Sequence, residues 1–402
     1  WLIKFIIKII LLFFVISTHV NAINFYKYPE QNLDKNLCNN IYDKLNHPNF
    51  PYSSEEPIIV NADLLIEDVH SISGKDLDFE SSYTLWAHWK DSRVADVLKE
   101  LNVYKDKGKP LYLCDYSPQS VIGDSRKIFD PVIEFFNRKG KPNFQYGMQD
   151  WIEIFSDGTV QSRIRDKSKF KARFDFRRFP FDSQLLTYEI WSEYPSFMVE
   201  INADEPGMSD YKETKYAYEN GDNEGITIPG WSLESVDYEN YSYIENDGYP
   251  YTGFILELEV KRQSSYYLFK IILPIIFILA ISWSVFWVRG SQLEAKVNVT
   301  IVCLLSLIAY NFIIDEDLPK LAYLTFLDCF ILLSYFYTGI ATILCVYSFV
   351  RKLKSGRDLS IIDRYAQFVG PISYFGVLII LLVYFYNLEA AKGLFLGSKF
   401  IQ

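Results

Sequence analysis

The spacing of apolar and polar residues divides the chain into two parts that meet near Arg262. Before this point, short stretches rich in β-branched and aromatic residues alternate with turn signals, and no long segment has a helical period. Two such stretches, Trp151–Phe155 and 159–164, flank Ser156-Asp157-Gly158, a sequence typical of a hairpin turn. The pattern predicts an all-β sandwich, immunoglobulin-like in architecture, over residues 23–262.

Four apolar runs without any charged residue follow Arg262. They span 271–288, 297–314, 329–350 and 365–388. Each run has at least 18 residues, which is enough for a helix to cross a hydrocarbon core of about 30 Å. Buried core helices of a soluble protein are the alternative, but four such runs joined by charged or polar linkers argue against it. We therefore expect a four-helix α transmembrane domain over 263–402, embedded in a lipid bilayer, with helices at about 265–288, 294–314, 321–350 and 365–388.

Residues 1–22 have the pattern of a secretory signal peptide. Lys4 and Lys8 precede a short apolar run at 9–16, and Val20-Asn21-Ala22 resembles a cleavage site. The signal would carry residues 23–262 across the membrane as an extracytoplasmic domain. Basic residues concentrate between the third and fourth apolar runs, whereas the link between the second and third is net acidic. The positive-inside rule then places the C-terminus on the extracytoplasmic side as well.

Composition argues against several classes of function. The formal net charge is −10, whereas a nucleic-acid partner would require a basic surface. The four histidines and five cysteines have no zinc-ligand spacing, and no histidine lies beside a serine or cysteine of a catalytic motif. We expect no metal, no cofactor and no enzymatic activity. Cys38 and Cys114 would lie in an oxidising compartment, where a disulfide is one outcome, but the sequence leaves their pairing open.

The second apolar run carries one stripe of helically spaced residues that changes from charged to apolar. Its members are Glu294, Asn298, Val302, Leu305, Ala309 and Phe312. One helix cannot enclose a pathway, so several subunits would have to place this stripe around an axis. A ring of Glu294 would then attract cations, and a ring of Leu305 would form a dry constriction. From this run alone, a membrane helix whose polar groups bond to its neighbours is an equal alternative.

The segment Phe179-Pro180-Phe181-Asp182-Ser183-Gln184 resembles the signature loop of the pentameric ligand-gated ion channels, the Cys-loop receptor superfamily. Further matching motifs extend over residues 57–388. They are Trp89-Lys90-Asp91, Pro131 with Asn137, Arg262, Tyr266-Tyr267 with Pro274, the segment 294–312 and Leu318-Pro319. Ala172 and Leu186 occupy the places of the two loop cysteines, and the link between the third and fourth runs is short. The chain therefore resembles the bacterial, cation-selective branch of the family.

The resemblance implies a homopentamer in a plasma membrane, the inner membrane of a bacterium. Monovalent cations would permeate it, and a small-molecule agonist, preferably an amine, or else protons would open it. Glu294 falls on the selectivity position of the family and Leu305 on its hydrophobic gate. Two alternatives stay open: a non-conducting membrane receptor or sensor, and a coupling loop that only holds the two domains together.

The same resemblance assigns the coupling between the two domains. Asp182 would pair with Arg262, Pro180 and Phe181 would belong to the loop that transmits movement, and Pro319 would receive it. An ion pair shielded at a domain junction interacts more strongly than a surface pair, so it can bias two arrangements of the loops.

The resemblance also places an agonist site between subunits. The residues expected to line it are Glu134, Phe136, Trp191, Glu193, Tyr194, Tyr238, Tyr241 and Tyr251 on one subunit, with Thr84 and Trp86 on its neighbour. Carboxylates beside aromatic faces suit a cationic amine through ion pairing and cation–π contact. Two positions depart from the amine-responsive bacterial pattern, since Trp191 replaces a glutamate and Thr84 replaces an aromatic residue. Packing within the strands is the alternative for each tyrosine.

Overall fold

The computed structural model describes residues 35–45, 56–106, 112–116, 128–140, 151–203, 228–288, 293–314, 320–355 and 360–392. The predicted signal peptide, Pro319 and the side chain of Phe312 lie outside this description. Up to Arg262, the described strands are β1 (Ile58–Ser73), β2 (Asp78–Lys90), β3 (Tyr112–Tyr116), β4 (Ile133–Phe135), β5 (Arg138–Lys139), β6 (Trp151–Phe155), β7 (Thr159–Lys171), β8 (Ser183–Ser192), β9 (Val199–Ala203), β10 (Trp231–Ile244) and β11 (Pro250–Arg262). Two short helices, α1 (Lys35–Lys44) and α2 (Ser92–Glu100), accompany them.

The strands form two sheets that pack face to face. The larger sheet has the order β3-β6-β7-β2-β1-β9, with β5 added to β7, and the smaller has the order β10-β11-β8-β4. Side chains along β8 alternate between buried and more exposed positions, as expected for a strand with one face on a core. The order of strands brings β4, β8 and the β10–β11 hairpin together in the smaller sheet.

Aromatic residues from both sheets fill the space between them. Phe79 of β2 and Phe170 of β7 stack at 5.4 Å, and Tyr188 of β8 packs edge-on against Phe79 at 5.2 Å. The Tyr188 hydroxyl donates a hydrogen bond to the Ser81 hydroxyl on β2, 2.9 Å away, so the buried phenol is satisfied across the interface. These contacts fix the relative position of the two sheets.

Helix α1 is attached to the larger sheet by a disulfide between Cys38 and Cys114 of β3. Ile41 and Leu45 on the same side of this segment are buried in the sandwich core. The sequence had left the pairing of these two cysteines open. Helix α2 begins at Asp91, whose carboxylate accepts a hydrogen bond from the Arg93 backbone N–H and caps the helix. The sandwich domain is therefore not purely β, because two helices cover its surface.

Four apolar helices follow Arg262. They are α3 (Ser265–Trp287), α4 (Leu293–Ile314), α5 (Phe326–Ser355) and α6 (Ser360–Lys392). All four are long and apolar enough to cross a membrane. Buried contacts hold them together: Trp283 of α3 packs against Tyr374 of α6 at 5.4 Å, and the Tyr374 and Ser334 hydroxyls share a hydrogen bond of 3.0 Å. The predicted fold class, a β-sandwich followed by four membrane helices, is confirmed.

Helix α5 begins at Phe326, later than the start near residue 321 expected from the apolar run. Thr325 and Asp328 form a reciprocal cap: the Asp328 carboxylate accepts from the Thr325 backbone N–H at 2.8 Å, and the Thr325 hydroxyl accepts from the Asp328 backbone N–H at 3.1 Å. Such a pair satisfies two backbone donors at a helix start. The only acidic residue of this predicted span therefore has a capping role.

Candidate functional site

Helix α4 presents two different faces. Lys296, Thr300, Cys303 and Leu307 are buried against the helices of the same subunit. The predicted stripe lies on the other side, where Glu294, Asn298, Val302, Leu305 and Ala309 are exposed. Val302 and Leu305 are 61% and 60% exposed, which is unusual for large apolar side chains unless a membrane or another subunit covers them. The subunit thus leaves the stripe uncovered; Phe312 continues along the same helix.

The chemistry of the stripe changes along α4. It begins with the carboxylate of Glu294, continues with the amide of Asn298, and becomes apolar from Val302 to Ala309. At 1.5 Å per residue the stripe from Glu294 to Ala309 is about 22 Å long, a large part of a bilayer core. A charged mouth followed by an apolar stretch is an arrangement that can select and then block ions.

Asp182 and Arg262 form a bidentate ion pair where the sandwich meets the membrane helices. Arg262 Nε donates to Asp182 Oδ1 at 2.7 Å and Nη2 donates to Oδ2 at 3.0 Å. Asp182 is 1% exposed, and Gln184 donates a further hydrogen bond to its carboxylate. The guanidinium lies 4.0 Å from the centre of the Trp231 ring, and the Phe179 and Tyr267 rings also face it. A shielded, bidentate pair of this kind is stronger than a surface pair.

The loop that carries Asp182 also touches the membrane helices directly. The Phe179 ring lies 4.7 Å from that of Tyr267, ahead of the transmembrane part of α3, and the Phe181 ring lies 5.6 Å from that of Phe326 at the start of α5. The Phe326 backbone N–H donates to the Arg177 carbonyl, and the Phe176 N–H donates to the Tyr323 hydroxyl. Pro180 lies between the two phenylalanines. Sequence reasoning missed Tyr323 and Phe326, which the structure places beneath the loop.

Strands β4, β8, β10 and β11 bring five aromatic rings into one cluster. The aromatic cluster consists of Phe136, Trp191, Tyr241, Tyr243 and Tyr251. Trp191 is central, with ring centres of Phe136, Tyr243 and Tyr251 at 5.7, 5.8 and 5.8 Å. The sheet register explains this convergence, because Tyr243 pairs with Tyr251, while Gly253 separates Tyr241 from Trp191.

Gly253 is required for the cluster to form. A Cβ at this position would lie 2.2 Å from the Ile190 carbonyl oxygen and 3.0 Å from the Tyr241 hydroxyl. The glycine therefore lets the Tyr241 ring lie across the strand towards Trp191. Sequence reasoning did not identify Gly253; a glycine inside a strand flanked by aromatic residues was the available signal for a close approach.

Carboxylates surround the aromatic cluster. Glu134 pairs with Trp191 in the sheet register and is half-buried, and Glu193 is exposed. Asp247, at the tip of the β10–β11 hairpin, accepts hydrogen bonds from the Tyr251 hydroxyl at 2.7 Å and from the Tyr249 backbone N–H at 2.9 Å. Both hydrogen bonds lower the pKa of the Asp247 carboxyl, and the bond from the Tyr249 backbone N–H has the larger effect. Asp247 was not among the predicted site residues.

Two predicted tyrosines lie away from the cluster. Tyr194 packs against Phe129 at 5.7 Å and contacts the sandwich core, which is the structural alternative considered for each tyrosine. Tyr238 is partly exposed and pairs with Leu256, further down the hairpin than Tyr241. The structure thus brings Trp191, Phe136, Tyr241 and Tyr251 together, and leaves these two tyrosines at its margin.

On the larger sheet, Thr84 and Trp86 have different environments. Thr84 is 3% exposed and its hydroxyl donates to Glu67 Oε1 at 2.7 Å. Arg165 forms a bidentate contact with the same carboxylate, at 2.6 Å from Nε and 2.8 Å from Nη2. Thr84 is therefore covered by this bridge within its own subunit, whereas Trp86 is half-buried. On this face Trp86 and the Glu67–Arg165 pair are the accessible groups near Thr84.

An acidic group lies next to the aromatic cluster on the outer face of the smaller sheet. Burial raises the pKa of the Glu189 carboxyl, although Arg173 acts in the opposite direction. Burial also raises the pKa of Glu257, and the carboxylates of Asp237, Glu239 and Glu189 add to this effect. Burial together with the charge of Glu189 raises the pKa of Tyr241 to about 12. Protonation of Glu189 would thus change the electrostatic potential at Tyr241 of the aromatic cluster.

Comparison with known proteins identifies the same architecture. A family model described as the neurotransmitter-gated ion-channel ligand binding domain matches residues 30–264. The chain is also 27% identical over 344 residues to a protein from Gloeobacter violaceus named "Proton-gated ion channel", covering 84% of this chain and 86% of that protein. The matched family is one of channels and not of enzymes.

Removing one partner of the Asp182–Arg262 pair should destabilise the protein strongly. Asp182→Asn leaves the guanidinium without its counter-ion among three aromatic rings, and breaking such a pair costs about 3–5 kcal/mol. Thermal unfolding of the detergent-solubilised protein measures the loss. Arg262→Gln added to Asp182→Asn should cost much less than the sum of the single changes.

The exposed pair Arg177–Asp175 provides the matched control. Its side chains are about half and one third exposed, so Asp175→Asn should change stability by about 1 kcal/mol or less. Equal losses for Asp182→Asn and Asp175→Asn, or strict additivity of the double variant, would contradict the role assigned to the buried pair.

Proposed function

The chain belongs to the family of pentameric ligand-gated ion channels, and on that premise we propose that five identical copies form a cation-selective channel opened by a small extracellular amine. The observation that carries the proposal is the exposed stripe on α4, from Glu294 to Ala309, opposite a face that its own subunit buries. Five such stripes around an axis would cover one another and leave a passage between them. Monovalent cations are the proposed permeant ions.

In the proposed pore, charge selects the ion and an apolar ring stops it. A collar of Glu294 carboxylates raises the local concentration of cations and repels anions. Further along, Val302, Leu305 and Ala309 offer no polar group to replace the water around an ion. A narrow ring of Leu305 side chains therefore expels water and closes the pathway until the helices move apart.

The Asp182–Arg262 junction is the proposed link between agonist binding and the pore. Strand β8 runs from the signature loop to Trp191 of the aromatic cluster, and β11 runs from the same cluster to Arg262. A shift of these two paired strands would move the loop, whose Phe181 ring packs against the Phe326 ring of α5. Such a loop can pass between two packed arrangements, and differential agonist binding then sets their populations.

The amine is proposed from the chemistry of the aromatic cluster. Trp191 and its neighbouring rings present electron-rich faces, while Glu134 and Glu193 supply negative charge beside them. A protonated amine gains from both features through cation–π contact and ion pairing. Trp86 on the larger sheet of the next subunit is proposed to close the other side of the site.

Proton gating is a second candidate, which the raised pKa values of Glu189 and Glu257 favour. The printed name of the relative from Gloeobacter violaceus supports the same candidate. A carboxyl whose folded-state pKa is raised stabilises that folded state fully below the unfolded pKa, and the contribution is lost as pH rises through the folded-state pKa. Acidification would therefore favour whichever channel state buries these carboxyls most, because burial is the main cause of their raised pKa.

Replacing the collar carboxylate should weaken selection between cations and anions. Glu294→Gln removes one negative charge per subunit at the mouth of the pore and keeps the side-chain size. The reversal potential in a salt gradient, measured in planar bilayers, should move away from the cation equilibrium potential. Glu239→Gln, the same chemical change on the exposed hairpin β10–β11, should leave it unchanged. An unaltered reversal potential in Glu294→Gln would contradict the selectivity assignment.

Truncation of the central ring should weaken the response to amines. Trp191→Ala is expected to raise the half-activating concentration of a primary amine at least tenfold, which corresponds to a loss of about 1.4 kcal/mol in binding. Currents are recorded at fixed pH, and size-exclusion chromatography checks assembly. Phe197→Ala is the control, because Phe197 contacts Tyr249 and not Trp191.

The same recordings separate the two candidate stimuli. One outcome would favour proton gating over amine gating. In it, the channel does not respond to amines but opens on acidification, and activation shifts to higher pH in Glu257→Gln. Glutamine mimics the protonated carboxyl, so the variant should open at a higher pH than the wild type. Unchanged amine responses in Trp191→Ala would contradict the proposed site.

A further inference from the structure

Two residues near the start of α6 contact all three of the other membrane helices. Asp363 accepts hydrogen bonds from Lys296 Nζ on α4 at 3.1 Å and from the Ser348 hydroxyl on α5 at 3.3 Å. Gln367, one helical turn later, donates to the Phe286 carbonyl in the last turn of α3 at 2.9 Å. Since Asp363 and Gln367 are four residues apart, both lie on the same face of α6.

Burial makes Asp363 indispensable to Lys296. Lys296 is 4% exposed, and the Asp363 side chain is also largely covered. An ammonium group removed from water at such a position requires a counter-ion, because its desolvation is costly. Among the residues that the structure describes, Asp363 is the carboxylate within ion-pair distance of Lys296. The two residues are separated by 67 positions in the sequence.

Lys296 lies very close to the collar carboxylate along the chain. It follows Glu294 by two residues, which places it about 200° around the helix on the buried side. Lys296 is buried, and salt screens the field of a buried charge much less than that of an exposed one. An unpaired Lys296 would therefore oppose part of the negative field that the Glu294 collar supplies.

We propose that Asp363 is a specificity-determining positioning residue of the pore: it neutralises Lys296 and holds it on the outer side of α4, so that the Glu294 collar keeps its negative field. The proposal rests on the proposed cation-selective pore. Asp363 itself does not touch the permeating ion, and it acts from α6 through the Lys296 ammonium. Ion selection in this channel thus depends on an ion pair between α4 and α6.

The test compares reversal potentials in a salt gradient for three variants of the full-length channel. Asp363→Asn should lower the cation-over-anion permeability ratio severalfold, because Lys296 is left without its counter-ion. Adding Lys296→Gln to Asp363→Asn should restore the wild-type ratio, since no uncompensated charge remains. Gln367→Leu breaks the neighbouring contact with Phe286 without changing any charge, and should leave the ratio unchanged.

A purely structural role for Asp363 gives a different result. In that case Asp363→Asn and Gln367→Leu would both lower the thermal stability of the pentamer, and neither would move the reversal potential. That outcome would overturn the proposal. If Asp363→Asn alone does not assemble, co-expression with excess wild-type subunits dilutes the change, and the reversal potential should still move in the same direction; no movement would overturn the proposal.

The control on the premise is the wild-type channel. Wild-type currents without preference for cations would overturn the proposed function of the Glu294 collar. Cation-selective wild-type currents, together with an unchanged permeability ratio in Asp363→Asn, would overturn only the role of Asp363.

Discussion

The two faces of α4 have incompatible environments, and the arrangement of the membrane domain follows from this asymmetry. One face buries Lys296, Thr300, Cys303 and Leu307 against the other helices, while the opposite face leaves Val302 and Leu305 uncovered. A single subunit cannot satisfy the second face, because the face starts with a carboxylate that lipid would not solvate. In the proposed assembly, copies of the chain around a water-filled axis would solvate the carboxylate and cover the apolar residues at once.

The sandwich domain is connected to the membrane helices α3 and α5 through a short series of packed contacts. Trp191 and Tyr251 of the aromatic cluster lie on β8 and β11; Asp182 directly precedes β8, and Arg262 ends β11. From there, Phe179 and Phe181 reach Tyr267 and Phe326. Phe179 and Phe326 are buried in these contacts, and Phe181 and Tyr267 are partly buried. This continuity would allow the proposed agonist site to act on the proposed pore within one chain.

The sequence was sufficient for features that depend on local periodicity. The stripe from Glu294 to Ala309 follows the helical repeat, and the four apolar runs follow the thickness of a bilayer. Features that depend on partners far along the chain were not accessible. Thr84 was assigned to a ligand site, but its hydroxyl is held by Glu67. No local pattern encodes the register between distant strands or helices. That register determines the disulfide of Cys38, the clearance that Gly253 provides for Tyr241, and the pairing of Lys296 with Asp363.

Accessibility of α4 to a charged thiol reagent tests the central claim most directly. Leu305→Cys and Val302→Cys place a thiol on the exposed stripe, whereas the native Cys303 lies on the buried face of the same helix. A water-soluble, positively charged thiosulfonate should block current through open channels of both variants and leave wild-type current unaffected. Block of the wild type at the same rate, or no reaction in either variant while current flows, would show that this stripe does not line the pathway.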